Sequence, residues 1–319
     1  MKAINIVEGN LIWSEFTDPR PKKDEVLIKI SATAVNRADL AQRAGHYPPP
    51  PGESEILGLE CSGEIVEVGR EVSRDRLGEE VCALLGGGGY AQYVCCPSAQ
   101  AIKIPIGLNL TDSASLPEVF ATCWLNLFLE GGVVEGDNVL LHAGASGIGT
   151  AAIQLCNAFG ANPYVTLGNK EKLDYCLKLG AKNGAIRGKN LFNEIASWTE
   201  GGFNLILDPV GGNYFSENQK ILSMEGKLII IGLMGGIKSE INLGHLMMKR
   251  QKIIGSTIRA RPNSTKGLVM KNLEKYVWPL IESKKIKPVI FKTLNISQIE
   301  DSHKIMEENK NIGKIVIEI

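Results

Sequence analysis

Long apolar runs are missing from this chain, and so is any excess of one charge: thirty-five basic residues balance thirty-five acidic ones over 319 residues. The first absence excludes a helical membrane span. The second argues against nucleic acid or an anionic membrane as partner, since either selects a basic surface. The opening Met1-Lys2-Ala3-Ile4-Asn5 has no apolar core of a signal peptide. Cysteine occurs seven times, an odd count, and no C-x-x-C pair is among them; reduced thiols in a cytoplasmic protein are the expectation. The neighbours Cys95 and Cys96 read as small strand residues.

The informative stretch is Asp137 to Ala152. Val139-Leu140-Leu141 is an apolar run of the kind found in strands buried on both faces. The loop Gly144-Ala145-Ser146-Gly147-Ile148-Gly149 follows, and Ile148, Ala152, Leu155 and Phe159 then fall at helical spacing. A buried strand turning through glycines onto a helix N-terminus holds a pyrophosphate well, because the first turn offers unpaired N–H donors and a positive dipole end. Ser146, Gly147, Ile148 and Gly149 are the expected phosphate-binding positions. The spacing is G-x-x-G-x-G, and on its own it fits an ordinary strand–helix turn equally well.

The length suits two domains. Residues 1–118 read as β-rich, with short strands at Val26–Ile30, Gly63–Val68 and Tyr90–Val94, a helix at Arg37–Arg43, and an extended surface loop at Pro48–Pro51. Residues 119–260 alternate strand and helix: Tyr164–Leu167, a helix from Lys170 to Leu179, Ala185-Ile186, Phe203–Leu207, Lys227–Ile231 and Lys252–Gly255. Such alternation means a doubly wound parallel sheet, with ligands at the carboxyl ends of its strands. Residues 261–319, with a helix over Leu268–Ser283 and a strand at Lys314–Ile319, are too few for a domain and are expected to complete the first one.

About twenty residues past the glycines, a carboxylate would grip a ribose hydroxyl. Gly168 and Asn169 stand there instead, with Lys170 and Lys172 next and Arg187 after the third strand. Cations without a carboxylate favour a 2′-phosphate, and so NADPH over NADH; the same residues also read as an ordinary solvated surface.

Several motifs together make the chain resemble the medium-chain dehydrogenase/reductase superfamily in its zinc-free quinone oxidoreductase branch, above all the p53-inducible quinone oxidoreductase-like proteins. They are Val35-Asn36-Arg37-Ala38-Asp39-Leu40, Gly45-His46-Tyr47 with Pro48 to Gly52, and Leu57 to Gly63. Gly88 to Val94, the Gly144–Gly149 loop, Gly232-Leu233-Met234-Gly235-Gly236 and Asn311-Ile312-Gly313-Lys314 complete the set. The resemblance implies an α/β chain with a GroES-like β-rich catalytic domain (1–118 and 261–319), a Rossmann domain (119–260), NADPH in the cleft between them, and homodimers formed through the sixth Rossmann strand near Lys252–Ser256.

Zinc-dependent relatives place a Cys at or near Asn36 and a His within G-H-E, which here reads Gly58-Leu59-Glu60. Leucine ligates no metal, so zinc is not expected. The acceptor must then take hydride readily, as quinones and activated alkenes do. Tyr47 matches a tyrosine that relatives place over the nicotinamide; its phenol either bonds the acceptor oxygen and passes a proton, or packs without chemistry. Asn36 matches an asparagine near the nicotinamide ribose and substrate, with turn stabilisation as the alternative. Gly232, Leu233 and Met234, in the loop after the fifth strand, and Ser256 and Thr257, after the sixth, complete the expected cofactor contacts. His142 is expected to be structural or near the cofactor, and His46 solvated; His245 and His303 show no chemistry in their surroundings. The resulting expectation is an NADPH:quinone oxidoreductase, with enone or enoyl-thioester reduction, or NADPH binding without turnover, as alternatives.

Overall fold

Val139, Leu140 and Leu141 are wholly buried and form the centre of a strand, β1 (Asn138–His142). The further strands are β2 (Asn162–Leu167), β3 (Asn183–Ile186), β4 (Phe203–Asp208), β5 (Leu222–Ile230) and β6 (Lys252–Gly255). All pair in parallel, in the spatial order β3-β2-β1-β4-β5-β6. That is the Rossmann order, with its topological switch point between β1 and β4. The helices α1 (Gly147–Ala158) and α2 (Lys170–Lys178) follow β1 and β2. Phe203, Ile206, Leu222 and Leu228 share one apolar cluster with Leu140 and Tyr164. β6 is the sheet's outer strand.

The computed structural model describes residues 1–319, and the chain forms two units: Met1–Ala121 with Ile258–Ile319, and Thr122–Thr257. The first unit is a seven-stranded sheet plus the hairpin Lys2–Val7/Asn10–Glu15. The C-terminal strand Lys314–Glu318 pairs antiparallel with the end of Glu25–Ala34, whose first half pairs on that same edge with Tyr93–Pro97, while Glu60–Val68 runs along the opposite edge. The end of the chain is thus a structural strand of the first unit.

Several element bounds differ from the sequence reading, among them the strand read at Lys227–Ile231, which runs from Leu222 to Ile230. The strand expected over Tyr90–Val94 runs instead from Tyr93 to Pro97, because Tyr90 turns inward, its side chain wholly buried and its N–H on the Leu57 carbonyl. The helix expected from Leu268 starts at Asn263, directly after Pro262, and passes through a π-helical stretch at Leu273–Val277 before ending at Glu282.

Candidate functional site

In the Rossmann unit the chain leaves β1 through His142 and Ala143. Ala143 takes a left-handed φ of 56°, a conformation a side-chain-bearing residue adopts only where its surroundings enforce it. Gly149 is required by close approach, since a Cβ there would lie 2.4 Å from the Gly144 carbonyl oxygen. Ser146 caps α1: its hydroxyl oxygen accepts the Gly149 N–H at 3.0 Å, and its own N–H is spent on the Ala143 carbonyl. The amides of Gly147 and Ile148 donate to no acceptor of the chain. Two open N–H groups on the first turn of a twelve-residue helix, at the end of a central strand, suit an anionic phosphate.

At the end of β2, the Asn169 side chain accepts the Lys172 N–H and caps α2. Arg187 donates its backbone N–H to the Leu167 carbonyl. Its guanidinium comes so close to Gly168 that a Cβ there would lie 3.1 Å from Nη2. The structure therefore brings Gly168, Asn169 and the Arg187 guanidinium together at one strand end, with the backbone of Lys172 on the first turn of α2. Lys170 is engaged elsewhere, in an ion pair with Asp174.

On the other side of the switch point, Asp208 ends β4 and accepts the N–H groups of Val210 and Gly211. The loop after β5 packs on that turn, with Met234 N–H on the Pro209 carbonyl and Gly235 N–H on Val210; Leu233 and Met234 keep about half of their surface exposed. Ser256 donates its N–H to the Ile230 carbonyl. Its hydroxyl is buried without a partner. His142 belongs to the scaffold. The Asn218 amide nitrogen donates to Asp208, so its oxygen accepts from His142 Nε2–H, and Nδ1 accepts the Thr166 hydroxyl. Burial lowers the pKa of this imidazole, against the opposing pull of Asp208.

In the first unit, Asn36 precedes the helix Arg37–Arg43 and Tyr47 follows it. The Asn36 amide is occupied on both sides. Its nitrogen donates to Glu60 at 2.9 Å and to the Ala34 carbonyl, and its oxygen accepts from Lys314 Nζ at 2.6 Å. Lys314 pairs with the wholly buried Glu60 at 2.7 Å, whose other oxygen takes the Glu118 N–H. An ammonium thus lies among the residues that line up with the zinc-ligand positions, and no group of His, Cys, Asp or Glu side chains is arranged to hold a metal ion. Asp39, beside it, accepts the N–H groups of Asn36 and Gly58 and the hydroxyl of Tyr90, which in turn accepts from His303.

Tyr47 is half-buried, and burial raises its phenol above the usual tyrosine range against the opposing pull of Arg259. Arg259, Lys314 and His303 were not legible as site residues. Each comes from the C-terminal segment and meets its partners only through the fold.

The zinc-binding dehydrogenase family model matches residues 147–275, and the alcohol dehydrogenase GroES-like domain model matches 22–106. The chain belongs to the medium-chain dehydrogenase/reductase superfamily, whose two domain types these are. It is 29% identical over 99% of its length to the highly-reducing polyketide synthase 1 of Aureobasidium melanogenum, and spans only 15% of that protein. The quinone oxidoreductase of Thermus thermophilus, solved alone and with NADPH, is 26% identical with a TM-score of 0.84, each chain covered in full. The JamJ enoyl reductase is 25% identical with a TM-score of 0.88, over 99% of this chain and 98% of that one.

Proposed function

We propose that the chain is a zinc-independent, NADPH-dependent quinone oxidoreductase. The observation that carries the cofactor part is the Arg187 guanidinium against Gly168, at the strand end where a carboxylate would select NADH. The Gly147 and Ile148 amides, with the capping hydroxyl of Ser146, hold the diphosphate. Gly149 lets the turn close, and Arg187 and Lys172 take the 2′-phosphate beside Gly168 and Asn169. Gly232, Leu233, Met234, Ser256 and Thr257 form the nicotinamide wall. Bound NADPH supplies the hydride. Tyr47 donates its phenolic proton to the acceptor oxygen. Asn36, its amide already committed, positions Glu60 and Lys314. With Leu59 at the zinc-histidine position, the acceptor must accept hydride without Lewis-acid help, which suits a quinone.

The likeness to an enoyl reductase supports a second reading, reduction of an enone or enoyl thioester. There the proton would go to carbon. NADPH oxidation with 9,10-phenanthrenequinone, trans-2-alkenals and enoyl-CoA thioesters separates the two: turnover with the quinone supports the first, and turnover with alkenes alone replaces it with the second.

A further inference from the structure

Arg259 is buried, 3% exposed, yet no carboxylate touches it. Its Nε donates to the Gly86 carbonyl at 2.8 Å, Nη2 to the Gln42 side-chain oxygen at 2.7 Å, and Nη1 to the Tyr47 carbonyl at 3.2 Å. The guanidinium carbon lies 5.1 Å from the centre of the Tyr47 ring. A buried cation whose direct partners are neutral oxygens and an aromatic face, with the Asp39 and Glu53 carboxylates acting on it without a direct contact, is costly to keep for stability alone. Gln42 is itself tied down, donating to the Glu55 carbonyl. Farther along the same loop, Glu53 pairs with Lys266, which is 1% exposed.

We propose that Arg259 is the positioning residue for Tyr47: its guanidinium fixes the loop that carries the tyrosine and sets a permanent positive charge against the ring. This rests on the reading of Tyr47 as proton donor. In that step the phenolic O–H bond breaks, its proton forms an O–H bond on the reduced acceptor's anionic oxygen, and the phenolate left behind is reprotonated by water. The guanidinium favours that phenolate. The carboxylate of Glu118 opposes it.

The test replaces Tyr47 by 3,5-difluorotyrosine and follows its fluorine resonance with pH in the otherwise unaltered chain, in Arg259→Gln and in Arg259→Lys. The ionisation midpoint is expected to rise in Arg259→Gln and to rise by less in Arg259→Lys, which keeps the charge and loses the fork. With the natural tyrosine, Arg259→Gln is expected to lower kcat for the quinone about tenfold, a part of what a general acid supplies. An unmoved fluorine midpoint in folded Arg259→Gln overturns the proposal. If that variant does not fold, an unmoved midpoint in folded Arg259→Met, which also removes the charge, does so. Full quinone turnover by Tyr47→Phe would instead remove the proton-donor reading and leave the fluorine result standing.

Discussion

Asp39 and His303 belong to one buried chain of hydrogen bonds, and their titrations oppose each other. Burial pushes Asp39 up to about 6 and His303 down to about 3. The Asp39 carboxyl accepts a hydrogen bond from the Tyr90 hydroxyl, so the Tyr90 oxygen accepts from His303 Nε2–H and Nδ1 is left buried without a partner. A histidine depressed in the fold contributes stability above its unfolded value of 6.5, and that contribution is lost as pH falls towards 3. Asp39, raised from 3.8, acts oppositely: its contribution is full below 3.8 and lost as pH rises through about 6. His303→Asn removes the first effect and keeps the second. Denaturant unfolding of the variant and the unaltered chain between pH 6 and 4 should therefore show the variant gaining on its parent by about 1.4 kcal/mol per pH unit. A gap constant with pH would mean that His303 is not held neutral.

At the scale of elements, the strand–glycine–helix unit was legible because local rules make it: an apolar run, a glycine-rich turn and helical spacing, all within residues 138–159. The sixth strand, Lys252–Gly255, was read with the bounds it has. The Tyr90 turn was not, since its inward course is set by Asp39 and His303, distant in sequence. Nor was the division of donors at the glycine turn, where the cap consumes the Ser146 and Gly149 N–H groups and leaves those of Gly147 and Ile148. The strand end at Gly168 yields a prediction. Arg187→Gln and Lys172→Gln, alone or together, should raise the dissociation constant for NADPH about tenfold and leave that for NADH within about twofold. Titration calorimetry with both cofactors checks this, and equal losses would refute the 2′-phosphate assignment.

Across the whole molecule, the return of the C-terminal segment to the first unit followed from its shortness, and the Lys314–Glu318 strand makes that closure. What the sequence could not disclose is how that segment supplies the cations at the tyrosine loop and at Asn36, because Arg259, Lys266 and Lys314 have no local signature. The sheet also ends on a bare edge at β6, near Leu243, Met247 and Met248, each about two-thirds or more exposed. Pairing of that edge with a second copy is proposed from the family resemblance and agrees with the apolar surface. Met247→Glu with Met248→Glu should shift sedimentation from dimer to monomer; an unaltered sedimentation coefficient would place any dimer contact elsewhere.

Hydride delivery to a quinone is tested most directly by rapid mixing of the NADPH-loaded chain with 9,10-phenanthrenequinone while the absorbance of reduced nicotinamide is followed. The expected result is a decay whose rate rises with quinone concentration and then saturates. Bound NADPH that keeps its absorbance at every quinone concentration would contradict it.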